Sequence, residues 1–124
     1  MHAREVTLES FEGLVNEPGI VFLDFWAEWC GPCRMFAPIF EAAAAKHPDI
    51  VFGKVDTEAQ PDLAQAFGIR SIPTLMVFRD GVPVFFQPGM LPAKVLEDLV
   101  GKVRALDMED VKKKIAERQA SAAP

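Results

Sequence analysis

Residues 26 to 38 read WAEWCGPCRMFAP and hold both cysteines of the chain, Cys30 and Cys33. A run from Ile20 to Ala27, apolar except for Asp24, precedes the pair. It has the length and composition of a strand buried on both faces. A helical pattern follows from Pro32 to His47, rich in alanine at residues 42 to 45 and carrying Pro38, where a kink is expected. The cysteines therefore sit where a buried strand gives way to a helix.

Three chemistries compete for such a pair. A structural zinc site needs four ligands, and the chain has two Cys and two His. His2 lies in a terminus expected to fray, and His47 reads as a solvated or helix-ending residue, so a zinc site would have to be shared between two chains. A disulfide closing so short a loop constrains little of the unfolded chain and stabilises weakly. A reactive pair fits best. Pro32 suits a first helical turn, where its missing N–H is not needed. Cys30 then stands at the helix N-terminus, where unpaired N–H groups and the macrodipole favour a thiolate, the form that attacks disulfides. Cys33 lies one turn deeper and is expected to be the shielded partner.

Working outward, Glu5 to Leu8 is β-like, and Ser10 to Val15 is a short helical stripe with Ser10 as a possible cap. Gly19 punctuates before the Ile20 strand. Ile50 to Val55 and Thr74 to Phe78 read as strands, and Gln60 to Phe67 as a helix ending at Gly68. Asp80-Gly81 signals a hairpin into Val82 to Phe86. Pro92 to Leu106 has helical spacing at Val95, Leu96, Leu99 and Val103. The order βαβαβαββα predicts an α/β fold with a mixed central sheet and helices on both faces.

The 124 residues, half of them hydrophobic, suit one compact domain, assigned to residues 1–106. Residues 107–124 form a charged extension with four acids and four bases. Its narrow stripe of Met108, Val111 and Ile115, with Asp107 as a possible cap, predicts a helix that docks on its own domain or frays, with a partner-binding or dimerising helix as the other reading. The net charge of −5 and the lack of a basic stripe argue against nucleic acid and acidic membranes. The longest apolar run is too short to span a bilayer. Charge from the first residues is unlike a secretory signal, so the expected location is cytoplasmic, where a lone disulfide is catalytic or redox-sensing.

Phe25-Trp26-Ala27-Glu28-Trp29-Cys30-Gly31-Pro32-Cys33 resembles the active-site signature of the bacterial-type thioredoxin family. Further matches follow in order: Asp24, Pro38, Lys54, Ile72-Pro73-Thr74 and Asp80-Gly81. The resemblance covers roughly residues 4 to 106. The resemblance implies the thioredoxin fold and a protein disulfide reductase. Cys30 is then the attacking thiol and Cys33 the resolving one. Asp24 is a buried acid with a raised pKa that accepts the Cys33 proton, and Lys54 lies near it. Pro73 is cis and faces the cysteines, leaving the Ile72 backbone to an extended substrate strand. Trp29, Gly31, Pro32, Ile72, Pro73, Gly89 and Met90 make up the contact surface, while Trp26 and Pro38 are structural. No metal or cofactor is bound, the redox group being the Cys30–Cys33 disulfide. Electrons come from NADPH through thioredoxin reductase, the substrates are diverse disulfide-containing proteins, and the chain acts as a monomer. Ser71, where glycine is frequent, and Gln87-Pro88-Gly89-Met90 depart from the family pattern on the contact face, as does the extension. A thiol oxidase or isomerase of the same fold, and an interaction module indifferent to redox state, are the alternatives.

Overall fold

The computed structural model describes residues 2–122; Met1 and the end of the expected extension, residues 123 and 124, lie outside the described residues. The elements are β1 (Arg4–Glu5), α1 (Leu8–Val15), β2 (Ile20–Trp26), α2 (Gly31–Lys46), β3 (Val51–Asp56), α3 (Pro61–Ala66), β4 (Thr74–Arg79), β5 (Val82–Pro88), α4 (Ala93–Arg104) and α5 (Met108–Ala122). The sheet order is β1-β3-β2-β4-β5. β1, β3 and β2 run parallel, and β4 and β5 are antiparallel to their neighbours. The expected mixed sheet is present.

Strand alternation assigns the helices to their faces. Phe22, Phe52, Leu75 and Val77 point to one face and pack with Phe36 and Phe40 of α2 and Leu96 and Val100 of α4. Val21, Leu23, Phe25 and Met76 point to the other, against Val15 of α1 and Leu63 of α3. Central β2 is buried on both faces, which is why its sequence is apolar without alternation.

Gly53 of β3 is packed against Val6, just past β1, and Leu23 of β2, and the space there requires a glycine. A Cβ on Gly53 would stand 2.5 Å from Val6 Cγ2 and 3.0 Å from Leu23 Cδ2. Gly53→Ala is expected to destabilise the fold by about 1–3 kcal/mol through overpacking, seen as a lower urea midpoint at unchanged slope. At the hairpin, Asp80 (φ 53°) and Gly81 (φ 80°) both adopt the left-handed region that a two-residue primed turn demands. Asp80 Oδ1 also accepts the Gly19 N–H at 2.8 Å, tying the turn to the start of β2.

The N-terminal expectations need correction. Leu8 belongs to α1, not to a strand, because Thr7 caps the helix: its hydroxyl accepts the Ser10 N–H, and Ser10 Oγ accepts the Thr7 N–H in return. His2 is not frayed either. Its N–H and that of Ala3 both donate to the Glu41 carboxylate of α2 at 2.8 Å. His47, at the C-terminal cap of α2, is half-buried rather than solvated, with Nε2 2.7 Å from Glu97 Oε2 of α4.

Arg104 binds both Asp49 oxygens at 2.7 and 3.0 Å, and this hydrogen bonding holds the Asp49 carboxyl down to about 2. The end of α4 is fixed by Arg79, whose Nη1 donates to the Val103 and Leu106 carbonyls at 2.7 Å each. Immediately beyond, Asp107 Oδ1 accepts the Asp110 N–H at 3.2 Å and caps α5 as expected. Val111 and Ile115 of α5 line a shallow cleft with Pro83 and Val84 of β5. Among the described residues no helix is long and apolar enough to cross a membrane.

Candidate active site

Cys30 is the N-cap of α2, in extended conformation (φ −84°, ψ 112°), with Pro32 in the first turn. Its sulfur takes the place of the usual capping oxygen. The Cys33 N–H donates to Cys30 Sγ at 3.2 Å, so a backbone donor from the helix N-terminus is aimed at this sulfur. Cys30 and Cys33 are joined as a disulfide, with Cα atoms 5.2 Å apart.

The sequence distinguished an accessible Cys30 from a shielded Cys33. In the oxidised pair both are 3% exposed. The bond holds the Cys30 sulfur over the helix end and under the Ile72 backbone, 3.6 Å from the Ile72 carbonyl oxygen. Ala27, Cys30 and Cys33 form a small buried cluster on which Trp26 and Ile72 pack. Trp26, expected to be structural only, therefore touches the site.

Around the disulfide, Gly31 and Pro32 are exposed, and Trp29 is 67% exposed. The Trp29 indole Nε1–H donates to Glu58 Oε1 at 2.9 Å. The Ile72-Pro73 bond is cis. Pro73 itself is buried, and its carbonyl accepts the Gly89 N–H at 2.7 Å, which ties the β5–α4 loop to this segment. Gly89 makes that bond at φ 94°, open to glycine at no steric cost. Thr74 Oγ1–H donates to the Ser71 carbonyl at 2.7 Å and fixes the same turn from within. Met90 is half-buried and packs partly on the core between the sheet and α4.

Two residues at this face escaped the sequence reading. Glu58 carries no local signal, since only the folded chain brings it to Trp29. Met35 is 65% exposed and stands one turn after Pro32 on the same side of α2. A large exposed apolar residue so near a reactive motif was the available signal.

Asp24 is fully buried on β2, two residues before Trp26, which packs on the disulfide cluster. It faces α2, between Phe22 and Trp26 in the strand alternation, with Lys54 and Leu75 as its partners across β3 and β4. Neither carboxyl oxygen has a hydrogen-bond partner among the described residues. Desolvation raises the Asp24 pKa from 3.8 to about 7, and the charge on Lys54 limits the rise. The expected proximity of Lys54 is seen, but as a register pairing rather than an ion pair. The ammonium stands 4.6 Å from the centroid of the Trp26 ring. A cavity of about 380 Å³ adjoins this group, walled by Trp26, Ala37, Pro38, Glu41, Lys54 and Asp56. Among the described residues no cluster of three or more His, Cys, Asp or Glu is arranged to hold a metal.

A buried disulfide capping a helix, beside a turn with a cis proline, in a fold that also buries an unpaired acid on β2, agrees with what comparison with known proteins finds. The family model described as Thioredoxin matches residues 2–102. A protein of Streptomyces coelicolor named putative thioredoxin 2 is 59% identical over 118 residues, which cover 95% of this chain and 88% of that protein. Thioredoxin 1 of Synechococcus elongatus is 45% identical, over 81% of this chain and 95% of its own. The crystal structure of Malassezia sympodialis thioredoxin, at 31% identity, superposes with a TM-score of 0.72 and covers 80% of this chain and 89% of that one. The chain belongs to the thioredoxin family and is a protein disulfide reductase whose redox group is the Cys30–Cys33 pair.

Proposed function

We propose that Cys30 is the nucleophile and Cys33 the resolving thiol. The observation that carries this assignment is the Cys33 N–H aimed at Cys30 Sγ at the N-terminus of α2. On reduction the same donor, with the helix dipole, favours negative charge on Cys30. The Cys30 thiolate attacks a substrate disulfide, forming Cys30–S–S–R and expelling the other substrate sulfur as a thiolate. Cys33, losing its proton, then attacks the Cys30 sulfur. The Cys30–Cys33 bond forms, R–S⁻ leaves, and two electrons have passed to the substrate.

Asp24 is the group that takes the Cys33 proton. Its carboxyl is buried, uncommitted to any hydrogen bond, and titrates at about 7, close to ambient pH. Lys54 tunes it by its charge. Trp29, Gly31, Pro32, Ile72, Pro73, Gly89 and Met90 form the substrate-facing surface, with the Ile72 backbone pairing an extended substrate segment. Such recognition makes little demand on substrate sequence and suits diverse partners. Thioredoxin reductase, drawing on NADPH, restores the dithiol. The chain serves in electron transport in the cytoplasm as a monomer, its 1–106 domain carrying the chemistry and 107–124 an appended segment whose helix α5 (Met108–Ala122) lies beside β5.

The test is the reduction potential of the pair, equilibrated in defined dithiol buffers with Trp fluorescence as the readout. A value near about −270 mV is expected of a reductant. A value between about −120 and −180 mV would assign the protein to disulfide formation or isomerisation instead. NADPH consumption with a bacterial thioredoxin reductase and a disulfide-bonded protein, absent when the chain is omitted, checks the electron supply.

A further inference from the structure

We propose that Trp26 is a positioning residue of this site: its indole face holds the Lys54 ammonium away from Asp24, leaving the carboxyl unpaired and able to exchange a proton. Its bearing on turnover rests on the role assigned above to Asp24; its effect on Asp24 itself does not.

Asp24 and Lys54 are direct partners across parallel strands, with side chains on the same face of the sheet. A lysine side chain is long enough to close that gap. Yet among the described residues no carboxylate oxygen lies within 4.0 Å of the Lys54 ammonium. Both Asp24 oxygens are without a partner, and the ammonium instead stands over Trp26. Trp26 is placed for this by alternation, two residues beyond Asp24 on the same strand and face.

Two physical effects favour the ring. A pair formed at Asp24 would strip the ammonium of its hydration, a cost that Coulomb attraction at a buried site repays only with good geometry and further hydrogen bonds. Over Trp26 the ring quadrupole attracts the ammonium, and Lys54 and Trp26 both line the cavity. The other charges around the cavity are Arg4 and Glu5 of β1, Glu41 of α2 and Asp56 of β3. Across β4 the register partner of Asp24 is the uncharged Leu75. Lys54 is thus the cation best placed to lower the Asp24 pKa, and where its ammonium rests decides how far.

The experiment reads the Asp24 carboxyl directly, by carbon-13 NMR titration of the oxidised protein, in which neither cysteine titrates. Trp26→Leu removes the ring, and the released ammonium should lower the Asp24 midpoint by about one pH unit. Trp26→Phe, which keeps a ring face, should lower it less. In a Lys54→Met background the Trp26→Leu effect should vanish. An equal effect with and without Lys54 would show that Trp26 acts by excluding water and would overturn the proposal, as would no effect at all.

Fluorinated tryptophan at position 26, in a Trp29→Phe protein, keeps the shape of the side chain and weakens only the quadrupole. It serves should the leucine variant not fold. The Asp24 midpoint should fall stepwise with fluorine number, and a flat series refutes the role.

Discussion

Reduced Cys33→Ser protein, mixed with a disulfide-bonded substrate, is expected to accumulate as a covalent complex through Cys30. The first exchange needs only the Cys30 thiolate: Cys30–S–S–R forms and the second substrate sulfur leaves. The step that releases substrate needs the Cys33 sulfur, which serine does not supply, so the mixed disulfide persists until another thiol attacks it. Cys30→Ser should form no complex and lose more than about a thousandfold in reduction rate, as removal of a nucleophile does.

The asymmetry is the informative part. In the oxidised protein both cysteines are equally buried as residues, so residue exposure does not predict which of them captures substrate. The direction of the backbone donor does: Cys33 N–H points at Cys30 Sγ. Non-reducing electrophoresis of both variants after reaction with a disulfide-bonded protein decides it. A complex formed by Cys30→Ser and not by Cys33→Ser would reverse the assignment.

The order of elements was legible because each rests on a local signal. A buried strand runs into the cysteine motif, Asp80-Gly81 makes a primed turn, and Gly68 ends α3 at φ 63°. Asp24 stood out as the one charge in an apolar run, a strong hint because such a group is costly to bury without purpose. What sequence could not supply was register and long-range pairing. Only the β2–β3 alignment reveals that Lys54 lies opposite Asp24, and only side-chain geometry reveals that its ammonium goes to Trp26. The Glu58–Trp29 bond joins residues 29 apart with no repeating pattern between them. The cap of α1 was misread because Thr7 and Ser10 are both good capping residues, and each bonds the other's backbone. His2 looked frayed because the Glu41 carboxylate that pins it lies 39 residues on.

Asp24→Asn is expected to change both the pH dependence of stability and the pH dependence of substrate release. The Asp24 pKa is raised from 3.8 to about 7 in the folded protein, chiefly by burial. Below pH 3.8 the carboxyl is protonated in both states and costs nothing electrostatically. Between those two values the unfolded chain ionises while the folded protein keeps its proton, so the unfolded state binds fewer protons and stability falls as pH rises. Above the folded value the loss is complete, at roughly 4 kcal/mol from ~1.36 kcal/mol per tenfold change in proton affinity. Urea unfolding of the wild type should show this decline between about pH 4 and pH 7, and Asp24→Asn should lack its Asp24-dependent part. Because asparagine carries no proton to lose, the variant gains on the wild type as pH rises, even though its buried amide also lacks partners. Release should move the opposite way. Near and above neutral pH the Asp24 carboxylate accepts the Cys33 proton, and asparagine cannot, so mixed-disulfide resolution slows and loses its inflection near pH 7. The stability curve reads burial, and the resolution rate reads proton transfer. A variant with the altered curve but an unchanged rate from pH 6 to 9 would leave Asp24 a buried acid and remove it from the chemistry.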